Sequence, residues 1–193
     1  EFDLLLIDAG TEYDYYTADI TRTFPVSGTF TSTQKDFYNA VLKAQEDVLA
    51  LCKPGVKFID LQEKARKSLS ESIASLGLIK ERAEKIYEDK LYTKYYPHNI
   101  GHWLGLDVHD VGAYFIGSES RELEPGMVLT VEPGLYVPLD DQSVPEEFRG
   151  LGVRIEDNVV ITENGHKVLT SGVPKTVEEI ETLMKEPSKF TGL

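Results

Sequence analysis

Histidine spacing is the sequence feature that most constrains this chain. Three of its four histidines fall in one short stretch, at His98, His102 and His109, and Gly101 and Gly105 lie among them. Imidazole is the side chain that most readily binds a metal ion or moves a proton near neutral pH, so three together indicate one site. A surface loop that merely tolerates histidine is the alternative. If the histidines form one site, the fold must bring this stretch against other polar residues.

Length and charge bound the class of protein. A chain of 193 residues with 41% hydrophobic residues can bury one core, so we expect one domain. The net charge of −13 and the pI near 4.7 argue against a nucleic-acid partner, which clustered Lys and Arg would bind. The sequence has no apolar run of about 18 residues and no signal-peptide pattern, so we expect no membrane partner.

The single cysteine and the first residues of the chain bear on the cellular setting. Cys52 lies in a helical pattern and is interpreted as a buried structural thiol. That suits a reducing compartment, so we expect a cytoplasmic protein and leave a mitochondrial location open. The chain opens at Glu1 without an initiator methionine and enters a strand-like run at once. We therefore expect it to be a piece of a longer protein.

Two β-rich segments open the chain and predict a hairpin. The apolar run Leu4–Ile7 ends at Asp8, and a second segment over 15–24 contains Asp19. A symmetric turn at 13–14 would place Asp8 and Asp19 directly opposite each other, with Cβ atoms about 5 Å apart. Like charges at such a pair destabilise a hairpin, so a bound cation is predicted. In the alternative, Asp8 caps a turn and Asp19 faces solvent.

Helical patterns fill the middle of the chain and are interpreted as scaffold. A capping box at Thr31–Gln34 predicts a helix that ends before Pro54. A second helix is predicted over 59–76, with Gly77 as its C-cap. We also expect a short helix and a loop before the histidine stretch, and a terminal helix around 177–185.

Two later strands carry carboxylates. The segment Met127–Glu132 lies between two Pro-Gly turns and has the composition of a buried strand. The next strand, over 150–161, would place Arg154 and Glu156 on one face. A turn at its end would close a hairpin at Asn164 and Gly165 and leave His166 exposed.

Together, the polar residues that break these apolar strands and the histidine stretch form one candidate set of metal ligands: Asp8, Asp19, His102, Glu132 and Glu156. Four carboxylates and one imidazole are hard, oxygen-rich donors, which suit Mn²⁺, Co²⁺, Fe²⁺ or Zn²⁺ in a catalytic pair. Their four negative charges match two divalent cations. Two metals about 3.5–4 Å apart can share a water, lower its pKa towards about 7 and polarise a carbonyl. The set therefore predicts a hydrolase.

Five motifs, spread over most of the chain, resemble those of a known family. They are Ile7-Asp8-Ala9-Gly10, Asp19-Ile20-Thr21-Arg22-Thr23, the stretch from His98 to Asp110, Thr130-Val131-Glu132-Pro133-Gly134 and Arg154-Ile155-Glu156-Asp157. In this order they resemble the catalytic domain of Xaa-Pro aminopeptidases (aminopeptidase P), which are pita-bread metallopeptidases. The resemblance implies an α+β fold with a curved, mainly antiparallel sheet, helices on its outer face and two metals, typically Mn²⁺, on its inner face. Residues 1–193 would then be a catalytic metallopeptidase domain that is incomplete at its N-terminus.

The resemblance also implies roles for the candidate ligands. Asp8 would bind one metal, and His102 and Glu132 would bind the other. Asp19 and Glu156 would bridge both metals. A metal-bridging hydroxide would attack the carbonyl carbon of the N-terminal Xaa-Pro bond, and Glu132 would carry the proton to the leaving proline nitrogen.

Three further residues take supporting roles by the same resemblance. His98 and His109 would steady the substrate and the developing oxyanion, and Arg154 would orient the carboxylates. The expected partners are peptides with proline in second position, and we expect a homo-oligomer in the full-length protein. Family members carry further N-terminal parts, so we expect the 193-residue chain alone to be weakly active or inactive.

Three alternatives stay open at this point. Prolidase shares the ligands but cleaves only Xaa-Pro dipeptides, and the segment over 144–150 favours aminopeptidase P. Methionine aminopeptidase fits the stretch over 102–110 less well. A pita-bread protein that has lost its metals and serves as a binding module is the third alternative. The five retained ligand positions argue against that one.

Overall fold

The computed structural model describes residues 3–187 and opens with the expected β-hairpin. Strand β1 (Leu4–Tyr13) pairs antiparallel with β2 (Tyr16–Pro25). Asp14 and Tyr15 form the turn with φ values of 50° and 68°, and a two-residue type I′ turn requires positive φ at both positions. The predicted hairpin is confirmed, with its turn one residue later than predicted.

The later turn changes the register of the hairpin by two residues. Asp8 lies opposite Thr21, and Asp19 lies opposite Gly10, so the prediction that the two aspartates face each other directly is wrong. They are diagonal neighbours instead, and they still share one face because side chains two residues apart on a strand point the same way. A Cβ at Gly10 would lie 2.3 Å from the Ala18 carbonyl oxygen, which leaves space there only for glycine.

Two long helices follow the hairpin as predicted. Helix α1 (Ser32–Leu49) begins with the capping box, in which Thr31 and Gln34 exchange side-chain and backbone hydrogen bonds. Helix α2 spans Phe58–Ser75, and Gly77 follows with a φ of +68°. Each helix buries one apolar face in the core: Phe37, Val41, Ala44, Val48, Leu61, Ala65, Leu69 and Ile73.

Shorter elements connect the scaffold to the histidine stretch and close the chain. Helix α3 (Ala83–Glu88) and a 3₁₀ turn at Leu91–Lys94 occupy the segment predicted as a short helix and loop. A small hairpin follows the histidines, formed by β3 (Phe115–Ile116) and β4 (Glu119–Ser120). The terminal helix α4 spans Val177–Leu183. Across residues 3–187, no helix combines the length and apolarity needed to cross a membrane.

The remaining strands build the inner part of the fold. They are β5 (Val128–Val131), β6 (Gly134–Tyr136), β7 (Gly152–Arg154), β8 (Asp157–Thr162) and β9 (Gly165–Val168). Strand β8 pairs antiparallel with both β5 and β9, and β6 pairs antiparallel with β7. All strand pairs in this part of the fold are therefore antiparallel, as predicted.

Both strand segments that carry glutamates are interrupted, and the two interruptions lie opposite each other. Glu132 and Pro133 separate β5 from β6, and Ile155 and Glu156 separate β7 from β8. Pro133 has no N–H and cannot continue a ladder, so the partner strand breaks opposite it. The single strand predicted over 150–161 is therefore two strands. Glu132 and Glu156 therefore both lie at interruptions between strands.

The last hairpin corrects one further prediction. Thr162 pairs with Gly165, so the turn is Glu163–Asn164, one residue earlier than predicted. His166 consequently lies within β9, is half-buried, and places its Nδ1 2.9 Å from the Cys52 carbonyl oxygen. The prediction of an exposed turn histidine is wrong. The prediction that Cys52 is buried is confirmed, since the residue is 1% exposed.

Candidate metal centre

The side chains predicted as metal ligands converge at the inner face of the strands. Potential ligand atoms of Asp8, Asp19 and Glu156 lie within 4.8 Å of one another, and so do those of His102, Glu132 and Glu156. The Nε2 atom of His102 lies 3.5 Å from Asp19 Oδ2 and 3.4 Å from Glu132 Oε1. Potential ligand atoms of Asp19, His102 and His109 form a third such group, so Glu156, Asp19 and His102 each belong to two of the three groups and connect the parts of the cluster.

His102 is held by strand-like pairing between its own segment and β5. Its N–H donates to Thr130 Oγ1 at 3.0 Å, and its carbonyl accepts from the Thr130 N–H at 2.9 Å. A Cβ at Gly101 would lie 2.0 Å from the Thr130 carbonyl oxygen, so only glycine permits this approach. His102 Nδ1 lies 2.9 Å from the Trp103 carbonyl oxygen, which can only accept. The hydrogen bond therefore assigns the proton to Nδ1 and turns the Nε2 lone pair towards the carboxylates.

The carboxylates carry negative charge that the described side chains do not balance fully. Glu156 is 1% exposed, and its Oε2 accepts from Thr21 Oγ1 at 2.6 Å. Its Oε1 is buried and has no hydrogen-bond partner within residues 3–187. Burial and the nearby Glu132 raise the pKa of Glu156 to about 8. Burial, followed by Asp8, raises the pKa of Asp19 to about 6. An orphaned buried carboxylate oxygen is costly unless a cation binds it, so the donor set fits a metal site.

Arg154 lies at the rim of this cluster, on the β7 side. Its guanidinium donates to Asp8 Oδ2 at 2.6 Å, to Thr21 Oγ1 at 3.1 Å and to the Tyr136 hydroxyl at 3.1 Å. A planar guanidinium that reaches three groups restricts their positions.

The two remaining histidines flank the cluster. His109 is exposed and packs edge-on against His102, with ring centroids 4.4 Å apart. His98 is half-buried, and its Nε2 lies 2.8 Å from the Tyr136 hydroxyl. Its Nδ1 lies 2.8 Å from the Asn99 carbonyl oxygen. Burial lowers the pKa of His98, which favours the neutral ring. A neutral ring that donates a hydrogen bond from Nδ1 can accept a hydrogen bond from the tyrosine hydroxyl at Nε2.

A cleft of about 930 Å³ opens beside these residues, and a volume of this size can hold a short peptide. Its walls combine polar and apolar side chains. The polar lining includes His98, His102, His109, Glu132 and Arg154, and the apolar lining includes Phe58, Ile59, Tyr114 and Phe115.

Several site residues were not predicted from the sequence. Tyr136 connects His98 to Arg154, and its ring folds back over Gly134, where a Cβ would lie 2.3 Å from the hydroxyl oxygen. Thr21 donates to Glu156, and Thr130 donates to Glu132 Oε1 at 3.1 Å. The shared strand parity of Thr21 and Asp19 is a signal that could have found the first threonine. No comparable signal marks Tyr136.

The fold and the site define an α+β protein with a candidate metal centre beside an open cleft. The chain belongs to metallopeptidase family M24, whose sequence profile matches residues 1–163. Curated relatives are named Xaa-Pro aminopeptidase. That of Escherichia coli is 49% identical over 94% of this chain, and that of Haemophilus influenzae is 47% identical over 94%. The recognition made from the motifs is confirmed.

Solved structures confirm the predicted α+β pita-bread fold. The aminopeptidase PepP of Pseudomonas aeruginosa superimposes with a TM-score of 0.93, at 49% identity over 95% of this chain. A zinc-substituted aminopeptidase P of E. coli in complex with product superimposes with a TM-score of 0.89, at 48% identity over 94% of this chain. A divalent metal is thus the class of cofactor that the family indicates. The chain spans about two fifths of the length of these relatives.

Proposed function

We propose that this protein contributes the metal centre of an aminopeptidase that hydrolyses the N-terminal Xaa-Pro bond of peptides. The observation that carries the proposal is the placement of Glu156, which is buried, has one oxygen without a hydrogen-bond partner within residues 3–187 and belongs to two of the three groups of candidate ligands. A carboxylate in that position suits a bridge between two cations. The names of the relatives supply the substrate class, a peptide with proline in second position.

The proposed ligand set divides into two halves around this bridge. Asp8 would bind one metal, His102 and Glu132 would bind the other, and Asp19 and Glu156 would bind both. Four carboxylates and one imidazole suit Mn²⁺, Co²⁺, Zn²⁺ or Fe²⁺, and the resemblance to aminopeptidase P favours Mn²⁺ among them. Metals held by these residues would supply an activated water at neutral pH and polarise the scissile carbonyl.

The residues of the chain would then position the substrate and move the proton. Glu132 lines the cleft and is oriented by Thr130, so it is placed to take a proton from the attacking water and deliver it to the leaving nitrogen. His109 would contact the substrate from the exposed side of the cleft. His98 lies within hydrogen-bonding distance of the Tyr136 hydroxyl, and this pair would steady the carbonyl oxygen.

We further propose that residues 1–193 are a partial catalytic domain of a longer polypeptide that forms a homo-oligomer. The support is the length of the relatives, since the chain covers 41% of the E. coli protein. The remainder of such a polypeptide would complete the walls of the cleft.

Peptide hydrolysis by the full-length polypeptide tests the proposed function. With Mn²⁺ present, we expect release of the first residue from an Xaa-Pro-Xaa tripeptide and no release from the matched Xaa-Ala-Xaa tripeptide. Glu132→Gln should lower kcat by about 10²- to 10⁴-fold because it removes the proton carrier.

The outcomes of this assay separate the remaining alternatives. Cleavage confined to Xaa-Pro dipeptides would show prolidase activity instead. Absence of any Mn²⁺-dependent hydrolysis, together with absence of metal binding, would support a binding module and contradict the proposal.

A further inference from the structure

The candidate metal ligands lie on both sides of a seam, which is the line along which strand β2 meets the segment formed by β7 and β8. Asp8 and Asp19 lie on the β1–β2 hairpin, whereas Glu132 and Glu156 lie at the breaks of the inner strands. Within residues 3–187, the regular strand pairings join β2 only to β1 and leave this seam without a ladder. The relative placement of Asp19 and Glu156 therefore depends on the contacts that cross the seam.

Those contacts follow a regular antiparallel register. Thr21 and Glu156 share one backbone hydrogen bond, from the Glu156 N–H to the Thr21 carbonyl oxygen at 3.1 Å. Two residues along each strand, Thr23 meets Arg154. The Thr23 hydroxyl accepts from the Arg154 N–H at 3.2 Å and donates to the Arg154 carbonyl oxygen at 3.0 Å. The Thr23 side chain thus takes the place of the backbone groups that a paired strand would offer to Arg154.

Asn158 makes the equivalent contact at the other end of the register, opposite Asp19. Its Oδ1 accepts from the Asp19 N–H at 3.1 Å, and its Nδ2 donates to the Asp19 carbonyl oxygen. A carboxamide carries one acceptor and one donor, so it can satisfy both backbone groups of one residue as a paired strand would. Asn158 is 2% exposed, and its own N–H donates to Thr170 Oγ1 at 3.2 Å. The amide is therefore fixed in place, and water has little access to replace it.

We propose that Asn158 is a positioning residue for the metal centre, because its carboxamide completes the seam and fixes Asp19 relative to Glu156. The inference rests on the proposed function in taking these two carboxylates as metal ligands. Asn158 lies two residues after Glu156 on the same segment, so one rigid piece of backbone carries both the ligand and the amide that holds the other ligand. Loss of the amide leaves the Asp19 backbone unpaired and its carboxylate free to shift.

Isothermal titration of the metal-free protein with Mn²⁺ tests this role, alongside the thermal midpoint of each metal-free variant. Asn158→Ala removes both hydrogen bonds to Asp19, and we expect it to weaken Mn²⁺ binding by about 10- to 100-fold, the range for residues that orient metal ligands. Should Asn158→Ala fail to fold, Asn158→Ser replaces it, since its hydroxyl can bond only one of the two backbone groups.

Ile73→Val is the matched control for a general loss of stability. Ile73 lies in the core on α2 and is fully buried, so the substitution removes a methyl group away from the seam. We expect this control to lower the thermal midpoint and to leave the Mn²⁺ affinity unchanged. Mn²⁺ affinity that is equal in Asn158→Ala and the wild type, or that falls equally in the control, would overturn the positioning role alone. Absence of Mn²⁺ binding by the wild type would overturn the proposed metal centre as well.

Discussion

Glu156 shows at the scale of one residue how the candidate metal centre opposes the stability of the fold. Its carboxylate is buried beside Asp8, Asp19 and Glu132, with one oxygen unpartnered among the described residues. Burial and like charge both raise its pKa, which means that ionising it costs free energy in the metal-free protein. We infer that this cost is tolerated because a bound cation offsets it.

Replacing Glu156 with Gln should therefore separate stability from metal binding. Glu156→Gln replaces a buried acid, whose raised pKa makes its ionisation costly in the folded protein, with a neutral amide of nearly the same shape, so the metal-free protein should gain thermal stability. Each kcal/mol gained would raise the midpoint by about 2–4 °C for a chain of this size. The same variant should lose the stabilisation that Mn²⁺ gives the wild type. Thermal melts with and without Mn²⁺ measure both effects, and the exposed turn variant Glu163→Gln is the control. A lower metal-free midpoint would contradict this account.

Cys52 provides a second test at this scale. Burial raises the pKa of its thiol from 9.0 to about 12, so the native protein keeps it protonated and unreactive at neutral pH. The burial contributes stability below about pH 9 that is lost as the pH rises from about 9 to about 12. We expect native protein to resist iodoacetamide at pH 8 and urea-unfolded protein to be alkylated fully, as measured by mass. Rapid alkylation of the native thiol would show that the residue is accessible.

Site residues could be predicted where a charged or imidazole side chain interrupts an apolar pattern. Asp8, Glu132 and His102 stand out because a charged or imidazole side chain follows an apolar run or lies among glycines. Tyr136 and Asn158 do not stand out, because tyrosine and asparagine are ordinary in strands and turns. Their roles depend on strands that meet only after folding.

At the scale of elements, local patterns predicted the helices better than the strand pairings. The capping box at Thr31 set the start of α1 because its hydrogen bonds are local. Strand register depends on the turn, and the positive φ values at Asp14 and Tyr15 are not apparent from those residue types. The interruption of β7 and β8 depends on Pro133 in a neighbouring strand, which lies far away in sequence.

A substitution at Gly101 tests how closely the histidine segment must pack against β5. In Gly101→Ala the new Cβ would lie 2.0 Å from the Thr130 carbonyl oxygen, so the backbone that carries His102 must move. We expect a loss of about 1–3 kcal/mol in the free energy of unfolding, typical of overpacking, and much weaker Mn²⁺ binding. Urea denaturation and Mn²⁺ titration measure these effects. Gly172→Ala is the control because no atom lies within 4 Å of a Cβ built there. Equal behaviour of the two variants would contradict the close approach.

At the scale of the whole molecule, the described residues gather the ligand set but leave apolar surface uncovered. Leu5 and Ile7 on β1 are 51% and 44% exposed, and Phe115 at the mouth of the cleft is 55% exposed. Large exposed apolar side chains that cluster indicate contact surfaces. The relatives are more than twice as long as this chain.

The exposed apolar side chains and the greater length of the relatives lead to a prediction about activity. We expect the isolated 193-residue chain to bind metal and to hydrolyse an Xaa-Pro-Xaa peptide far more slowly than the full-length polypeptide, because part of the cleft wall would be missing. Steady-state kinetics of both proteins at saturating Mn²⁺ make the comparison. Equal kcat/KM for the two would show that residues 1–193 contain the whole active site.

Metal stoichiometry tests the central claim most directly. Protein purified without chelator, incubated with Mn²⁺ and freed of excess metal would be analysed for metal content beside Asp19→Ala, which removes a proposed bridging ligand. We expect close to two metal ions per chain in the wild type and a clear loss in the variant. No bound metal after incubation in millimolar Mn²⁺, with the protein folded, would contradict the metal centre on which this account depends.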